Sequence, residues 1–257
     1  MRVLILLMLT ACAAVTAGCQ ESGFDERRET ARPLKVQHGL GESKVPGQAE
    51  RPATLTVDAL DDTLALGLEP VRAAVPRLEL PAYLRGPGDG VELMYPVASA
   101  DVPALDAADP DLIVGGLDGG KELYLELSAV APTVITEDGG GLWKLNVRLV
   151  GEALGRTNDA EALLTDYDRR VAEVREGIEG RPRVAVVRGG AGGPELAAAD
   201  SFAATVVSDV GLRLARSVDG ADVVVRAGGS RADLWFGPGG VLAGRAALED
   251  LQRILHE

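Results

Sequence analysis

The chain has 257 residues, a formal net charge of −13 at pH 7 and only two histidines, His38 and His256. A body this acidic repels nucleic-acid phosphates and anionic lipid headgroups, which argues against both as partners. Because the two histidines stand near opposite ends of the chain, neither a histidine-rich metal site nor a His-based catalytic triad is expected.

The first eighteen residues are predicted to be a signal peptide. Arg2 is followed by an apolar run, Val3 to Leu9, which falls short of the ~20 residues that span a bilayer. The run leads into Thr16-Ala-Gly-Cys19, which resembles a bacterial lipobox, although leucine usually stands where Thr16 does. We predict that Cys19 carries a lipid that holds the chain at the outer face of a membrane, with Cys12 as the alternative. No cysteine follows Cys19, so neither a disulfide nor a cysteine-based metal site is expected downstream.

Residues 19–35 are charged and poor in large apolar residues, which predicts a flexible tether. Residues 36–141 then alternate between strand and helix patterns and are predicted to form a first lobe. Its predicted elements are a strand at 53–57, a helix at 58–66 that stops at Gly67, a short helix at 102–108, a strand at 110–114, a helix at 121–130 and a strand at 132–136. This order predicts a parallel sheet covered on both faces.

Residues 142–180 are predicted to be a helical bridge. A helix at 142–154 is closed by Gly155, and Asn158 is the predicted N-cap of a long helix. One side of that helix stays apolar for about six turns, which gives a length of roughly 30 Å. A coiled-coil arm is the alternative. We favour a strut between two lobes, because the apolar side extends over too few heptads for a coiled coil.

Residues 181–257 are predicted to form a second α/β lobe of reduced size. The predicted elements are a strand at 183–187, a glycine loop at 189–193, a helix at 201–210, a strand at 221–225 and a helix at 241–255. Val225 reaches Leu234 through a short glycine-rich link, which leaves little chain for a complete lobe.

The sequence offers little support for a nucleotide-binding or catalytic site. The glycines at 189–193 do not follow the G-x-G-x-x-G spacing of nucleotide loops, since Glu195 takes the last place, and no P-loop lysine follows. A G-x-S-x-G nucleophile elbow is absent from the sequence. Asp58, Asp61 and Asp62 suggest either a metal cluster or, as we favour, helix-capping and solvating residues. A hydrolase with a pair of catalytic carboxylates remains an alternative because acidic residues are abundant, but the sequence does not single out a particular pair.

Aromatic residues and arginines near strand ends are the candidates for a ligand site, because α/β proteins bind ligands beyond the carboxyl ends of their strands. Arg188 directly follows its strand and can pair with an anionic ligand through two parallel hydrogen bonds. A solvent-exposed arginine is the alternative there. For Trp143, packing at the start of its helix is favoured over ligand contact. The candidates are Tyr83, Arg85, Tyr95, Trp143, Arg188, Phe202 and Trp235.

An ordered series of segments resembles the ferric-siderophore and vitamin B12 (class III) substrate-binding lipoproteins of ABC importers. The resemblance covers roughly residues 36–257. It is carried by QHGLGESKVP at 37–46, DALDDTLALGLEPV at 58–71, PDLIV at 110–114, LSAVAPTV at 127–134, VRLVGEALGR at 147–156, AEALLTDYD at 160–168, DSF at 200–202, GL at 211–212 and DLWFG at 233–237.

The resemblance implies two three-layer α/β lobes joined by one long helix, with a cleft between them for an iron chelate. Arg85 and Arg188 would counter ligand charge, the aromatic candidates would line the cleft, and Ser201 joins the ligand-binding set. The chelator would hold the iron, so no protein metal ligand and no resident cofactor are expected. Between Val225 and Asp233 the chain lacks several tens of residues that such proteins usually carry, and no counterpart is found for the acid of the second lobe that often docks the permease. The usual acid of the first lobe aligns with Pro103, and Asp101 nearby is the docking candidate.

The sequence therefore predicts a lipid-anchored, monomeric solute-binding protein that delivers a ferric siderophore to an ABC permease. Heme, cobalamin and ferric citrate stay open as ligands. One alternative is a degenerate surface lipoprotein that keeps the scaffold and acts through protein contacts. Another is an enzyme built on the same scaffold, although no enzymatic activity is expected.

Overall fold

The computed structural model describes residues 32–96, 102–116, 120–137 and 139–256, so Cys19 and Asp101 lie outside the described residues. An antiparallel hairpin comes first, formed by β1 (Leu34–His38) and β2 (Gly41–Val45). Val36 and Val45 are buried beneath it. Strand structure thus begins at Leu34, inside the segment predicted as a tether, because Val36 has an apolar surface to pack on.

The N-terminal lobe is built on a parallel sheet. Its elements are β3 (Pro52–Thr54), α1 (Val57–Ala65), β4 (Arg72–Ala74), a 3₁₀ turn (Ala82–Leu84), β5 (Leu93–Met94), α2 (Val102–Ala107), β6 (Leu112–Gly115), α3 (Gly120–Val130), β7 (Thr133–Ile135) and a 3₁₀ turn (Gly140–Leu142). The strand order is β5-β4-β3-β6-β7, and all neighbouring pairs run parallel. The predicted βαβ order and parallel sheet are confirmed.

Two helices form the predicted bridge, α4 (Trp143–Ala153) and α5 (Thr157–Glu176). Gly155 separates them with φ of +70°, and a Cβ there would lie 2.1 Å from the carbonyl oxygen of Gly47. Only glycine fits this turn. Helix α5 begins at Thr157, one residue before the predicted N-cap Asn158. Its 20 residues give the expected length of about 30 Å.

The C-terminal lobe holds a smaller sheet. Its elements are β8 (Arg183–Gly190), β9 (Gly193–Leu196), α6 (Phe202–Asp209), β10 (Arg213–Leu214), β11 (Val223–Arg226), α7 (Ser230–Trp235) and α8 (Val241–Leu255). Strands β10 and β11 lie on either side of β8 and run parallel to it. The glycines at 189–193, predicted as a turn or a loop, form the turn of a hairpin that was not predicted: Gly190 pairs with Gly193, and β9 returns antiparallel along the end of β8.

The two sheets are covered differently. In the N-terminal lobe, Leu105 of α2 and Leu127 of α3 pack with Ile113 on one face, while α1 and α4 cover the other, which makes the predicted three layers. In the C-terminal lobe, Val184 and Val186 pack with the helices. The opposite face, with Ala185 and Val187, is covered by residues 215–221 of the β10–β11 connection, where the structure has no helix. This lobe therefore has two layers, whereas three were predicted.

One hydrophobic core runs through both lobes. It joins residues of α1 and α4 to residues of α6 and α8 through the inward side of α5, which buries Leu164, Tyr167 and Val171. Helix α5 is thus packed along both lobes rather than standing free between them. Across the described ranges, no helix combines the length and apolar character needed to cross a bilayer.

Candidate functional site

A cleft of about 330 Å³ lies between the lobes. It opens near the carboxyl ends of β4 and β8, beside the start of α1. In a parallel sheet the loops that follow the strands lie together at this edge. Its walls come from both lobes. The lining residues are Val57, Pro76, Arg77, Glu79, Pro81, Arg188, Ala232, Asp233, Phe236, Gly237 and Pro238.

Arg188 lines this cleft, but it lies inside β8, which runs to Gly190, and does not follow the strand as predicted. Its Nε and Nη2 donate to the two carboxylate oxygens of Glu195 at 2.8 and 2.7 Å, across the β8–β9 hairpin. The hydrogen bond to Glu195 raises the pKa of Arg188 above its ordinary value. The guanidinium also lies over the ring of Phe236, with 4.7 Å between its central carbon and the ring centroid. Arg188 is therefore held in a fixed orientation at the cleft wall.

An ion pair that the sequence analysis missed crosses the cleft. Arg77, from the loop after β4, donates from Nη2 to Oδ1 of Asp233 on α7 at 2.6 Å. The two residues belong to different lobes, and both line the cleft. Arg77 follows the end of β4 by three residues, so the rule that selected Arg188 also points to it, but β4 itself was not predicted.

Tyr83 and Arg85 lie beside the cleft rather than in it. Arg85 lines an adjoining cavity of about 380 Å³ and pairs with Glu79. Tyr83 lines a further cavity of about 540 Å³, together with Asp250 of α8. Burial raises the pKa of Tyr83 well above its ordinary value, and the negative charge of Asp61 adds to the rise. Tyr95 is more than half exposed and lines none of the three cavities.

Three aromatic candidates are buried in the core and do not line the cleft. This is contrary to prediction for Phe202 and Trp235, whereas for Trp143 it agrees with the packing that the sequence favoured over ligand contact. Trp143 is 1 % exposed, and Phe202 and Trp235 are 0 % exposed. The ring of Trp143 packs edge-on against Tyr167 at 4.9 Å and against Phe202 at 6.0 Å between centroids. The indole N–H of Trp235 donates to Asp250 at 2.9 Å. These large side chains fill the junction of the lobes because few other residues have the volume to do so.

Ser201 has a local role in the fold. Its hydroxyl accepts from the backbone N–H of Ala204 at 3.2 Å and so caps the N-terminus of α6. The same hydroxyl donates to the carbonyl oxygen of Ala198 at 2.6 Å. A cap of this kind satisfies one of the unpaired N–H groups at a helix start, which explains Ser201 without a ligand.

Asp61 and Asp62 of α1 are buried and cap the start of α8, which lies far along the chain. The carboxylate of Asp61 accepts from the backbone N–H groups of Leu242 and Ala243 at 2.7 and 2.8 Å, and that of Asp62 from Val241 at 3.1 Å. These contacts satisfy three N–H groups in the first turn of a 15-residue helix. The sequence favoured a capping role for these residues at their own helix, but both carboxylates cap α8 instead. The described residues contain no group of three or more potential metal ligands.

Burial raises the pKa of Asp61 to about 7, although the two backbone N–H groups oppose the rise. Burial also raises the pKa of Asp62 well above its ordinary value, and the charge of Asp61 adds to it. Because the folded state binds the proton more tightly than the unfolded state, this contribution to stability is full below the ordinary pKa of 3.8 and is lost as pH rises through about 7.

Asp61→Asn is therefore expected to flatten the fall of the melting temperature between pH 4 and pH 8, because the amide does not titrate. Thermal unfolding followed by circular dichroism across this range measures the slope. Asp159→Asn, on the exposed side of α5, is the matched control and should keep the wild-type slope. An unchanged slope in Asp61→Asn would contradict the assignment.

Comparison with known proteins agrees with this architecture. A family model described as periplasmic binding protein matches residues 90–231, which is more than half of the chain. The chain belongs to the periplasmic binding protein family. Members of this family are substrate-binding proteins of transport systems rather than enzymes, and the resemblance inferred from the sequence is confirmed.

Relatives in Bacillus subtilis (strain 168) carry names that refer to siderophores. The probable siderophore-binding lipoprotein YfiY is 28% identical over 213 residues, which cover 81% of this chain and 64% of YfiY. The petrobactin-binding protein YclQ is 27% identical over 188 residues, covering 68% of this chain and 57% of YclQ. The chain thus spans about three fifths of the length of these relatives.

Solved structures share the fold. SirA of Staphylococcus aureus, complexed with staphyloferrin B, matches with a TM-score of 0.74 and 21% identity over 87% of this chain and 98% of SirA. A periplasmic solute-binding protein of Mycobacterium smegmatis matches with a TM-score of 0.73 and 19% identity over 87% of this chain and 99% of its own. The predicted α/β fold class is confirmed by these matches, whereas the shortening of the second lobe stays a prediction.

Proposed function

We propose that this protein is the solute-binding component of an ABC importer and captures a ferric siderophore or a similar iron chelate between its lobes. The observation that carries the proposal is the cleft, where Arg77, Arg188 and Phe236 come together from both lobes at the carboxyl ends of β4 and β8. A concave site with a few convergent polar groups is the usual form of a small-molecule site. The names of the relatives in Bacillus subtilis support the choice of siderophore.

The protein binds and releases its ligand without making or breaking bonds. Iron arrives inside the chelate, so the protein contributes neither a resident cofactor nor metal ligands. The fused core and the buried contacts of Asp61 and Asp62 hold the lobes together, so capture needs little hinge motion. Cys19 provides a lipid anchor at the outer face of the cytoplasmic membrane, and a monomer hands the ligand to a permease, with Asp101 as the predicted docking residue.

Tryptophan fluorescence of the purified mature chain, titrated with a panel of ferric siderophores, tests the proposal. At least one iron-loaded chelate is expected to quench the emission at micromolar concentration, while its iron-free form at the same concentration quenches less. The panel should include hydroxamate, catecholate and carboxylate chelates as well as heme, cobalamin and ferric citrate. Because Trp143 and Trp235 lie in the core, isothermal titration with the same panel accompanies the fluorescence. Absence of binding by both methods across the whole panel would refute the proposal.

A matched pair of variants ties binding to the cleft. Phe236→Ala removes a ring from the cleft wall and is expected to weaken binding by about tenfold, which corresponds to 1.4 kcal/mol. Tyr95→Ala removes an exposed ring that lines none of the three cavities and should leave the affinity unchanged. Equal effects of the two substitutions would place the ligand elsewhere.

A further inference from the structure

Each arginine that lines the cleft, or the adjoining cavity of about 380 Å³, already forms an ion pair with a carboxylate of this chain. Arg77 pairs with Asp233 and Arg85 with Glu79. Arg188 pairs with Glu195, which stands beside it on β9. Among these described residues, three positive charges face three negative ones, so the wall offers a ligand no net positive charge.

The pairing of Arg188 occupies one of the two-donor edges of its guanidinium and neutralises its charge. Recognition of a carboxylate or catecholate oxygen by arginine depends on two parallel N–H groups. Both groups of one such fork, Nε and Nη2, donate to Glu195. The ring of Phe236 lies over one face of the guanidinium and restricts its rotation. An anionic ligand would either displace Glu195 or bind the remaining N–H groups of Arg188, and in both cases the carboxylate of Glu195 would lie close to the charge of the ligand.

The same cost applies to Arg77. Its partner Asp233 comes from the opposite wall, so their ion pair lies across the space that a ligand enters. A ligand with strong negative charge could take Arg77 only by facing Asp233 at short range. Charges a few ångströms apart near a protein surface interact by several kcal/mol, about 4 kcal/mol at 4 Å. This repulsion offsets what the ligand gains from the arginine.

The short segments that follow three strands of the N-terminal sheet add no positive charge by composition. Residues 97–101, residues 117–119 and residue 138, which follow β5, β6 and β7 in the sequence, contain three aspartates and neither lysine nor arginine. The formal net charge of the chain is −13. A field of this sign slows the approach of anions, most strongly at low salt.

We infer that the cleft selects ferric chelates of little or no net charge over polyanionic ones; this inference rests on the proposed function. Three hydroxamates, each with one negative charge, neutralise ferric iron. Three catecholates, each with two, leave a complex with three negative charges. The favoured ligand class is therefore the ferric tris-hydroxamate, with Glu195 and Asp233 as the residues that determine specificity by neutralising Arg188 and Arg77.

Isothermal titration of the mature chain with a neutral ferric tris-hydroxamate and with a ferric tris-catecholate tests the inference. The hydroxamate complex is expected to bind at least about tenfold more tightly, a difference of 1.4 kcal/mol. Glu195→Gln frees Arg188 and is expected to shift the ratio of the two affinities toward the catecholate complex by about tenfold. Asp233→Asn, which frees Arg77, should shift the ratio in the same direction.

Glu161→Gln is the matched control, because it makes the same change in net charge but removes the partner of Arg148 on the outer surface of α4 and α5. It should leave the ratio unchanged. Tighter binding of the catecholate complex by the wild type, or an equal shift in Glu195→Gln and Glu161→Gln, would overturn the selectivity while supporting the proposed function. Binding of neither chelate by protein with a wild-type melting curve would overturn the selectivity, and failure of the remaining chelates of the panel as well would overturn the proposed function.

Discussion

Asp61→Ala is expected to lower the free energy of unfolding by about 3 kcal/mol, because two buried backbone donors lose their acceptor and each such loss costs about 1–3 kcal/mol. The donors are the N–H groups of Leu242 and Ala243 in the first turn of α8. That helix has no acidic residue of its own in the first turn and no side-chain cap. Nothing nearby on the same helix can therefore replace the carboxylate.

Equilibrium unfolding in urea near pH 6 measures this loss, and the melting temperature should fall by roughly 6–12 °C for a chain of this size. Asp159→Ala removes an exposed carboxylate from the first turn of α5, where it pairs with Arg156, and should cost no more than about 1 kcal/mol. A loss in Asp61→Ala no larger than in this control would mean that other groups satisfy the helix start. Asp61→Asn, which keeps one acceptor oxygen, should fall between the wild type and the alanine variant.

Gly239→Ala is expected to destabilise the protein by about 3–4 kcal/mol, combining backbone strain with overpacking. Gly239 has φ of +86°, where a side chain is strained, and a Cβ there would lie 2.2 Å from Cδ2 of Phe202. The ring of Phe202 is fully buried and packs edge-on against Trp143. The clash would also disturb the start of α8, two residues further along the chain.

Thermal unfolding should show a drop of roughly 10 °C for Gly239→Ala. Gly192→Ala is the matched control, because a Cβ at Gly192 would meet no atom within 4 Å and its φ is ordinary. Its stability should change by less than about 1 kcal/mol. A melting temperature of Gly239→Ala equal to that of the control would show that the junction of the lobes repacks freely.

Elements with a strong repeating pattern could be predicted from the sequence. Helix α8 covers the predicted 241–255, and α5 buries Ala160, Leu164, Tyr167, Val171 and Val174 at the spacing that its apolar side indicates. Strands as short as β4 and β5 were missed, since two or three residues carry no readable alternation. Strand β9 was not predicted, because the glycines at 189–193 carry no alternation of apolar and polar side chains that would indicate a hairpin.

The site was harder to predict, because burial depends on residues far apart in the sequence. Trp143 shares a helix face with the buried Val147 and Val150, and this spacing was the available sign that it packs in the core. Asp61 and Leu242 meet across 181 positions of sequence. The available signal was that α8 begins at Gly240-Val241 without a side chain that could cap it. A buried helix start of this kind needs an acceptor from another part of the chain.

The packing of α1, α4, α5 and α8 in one shared core constrains how the sequence of this protein can evolve. Since each lobe contributes apolar side chains to one continuous interior, and since carboxylates of the first lobe complete a helix of the second, neither half is a self-sufficient module. A half taken from a relative would bring a mismatched surface to this junction. The two halves must therefore diverge together, and recombination within the gene is a poor route to a new ligand preference, whereas substitution at the rim of the cleft leaves the shared interior intact.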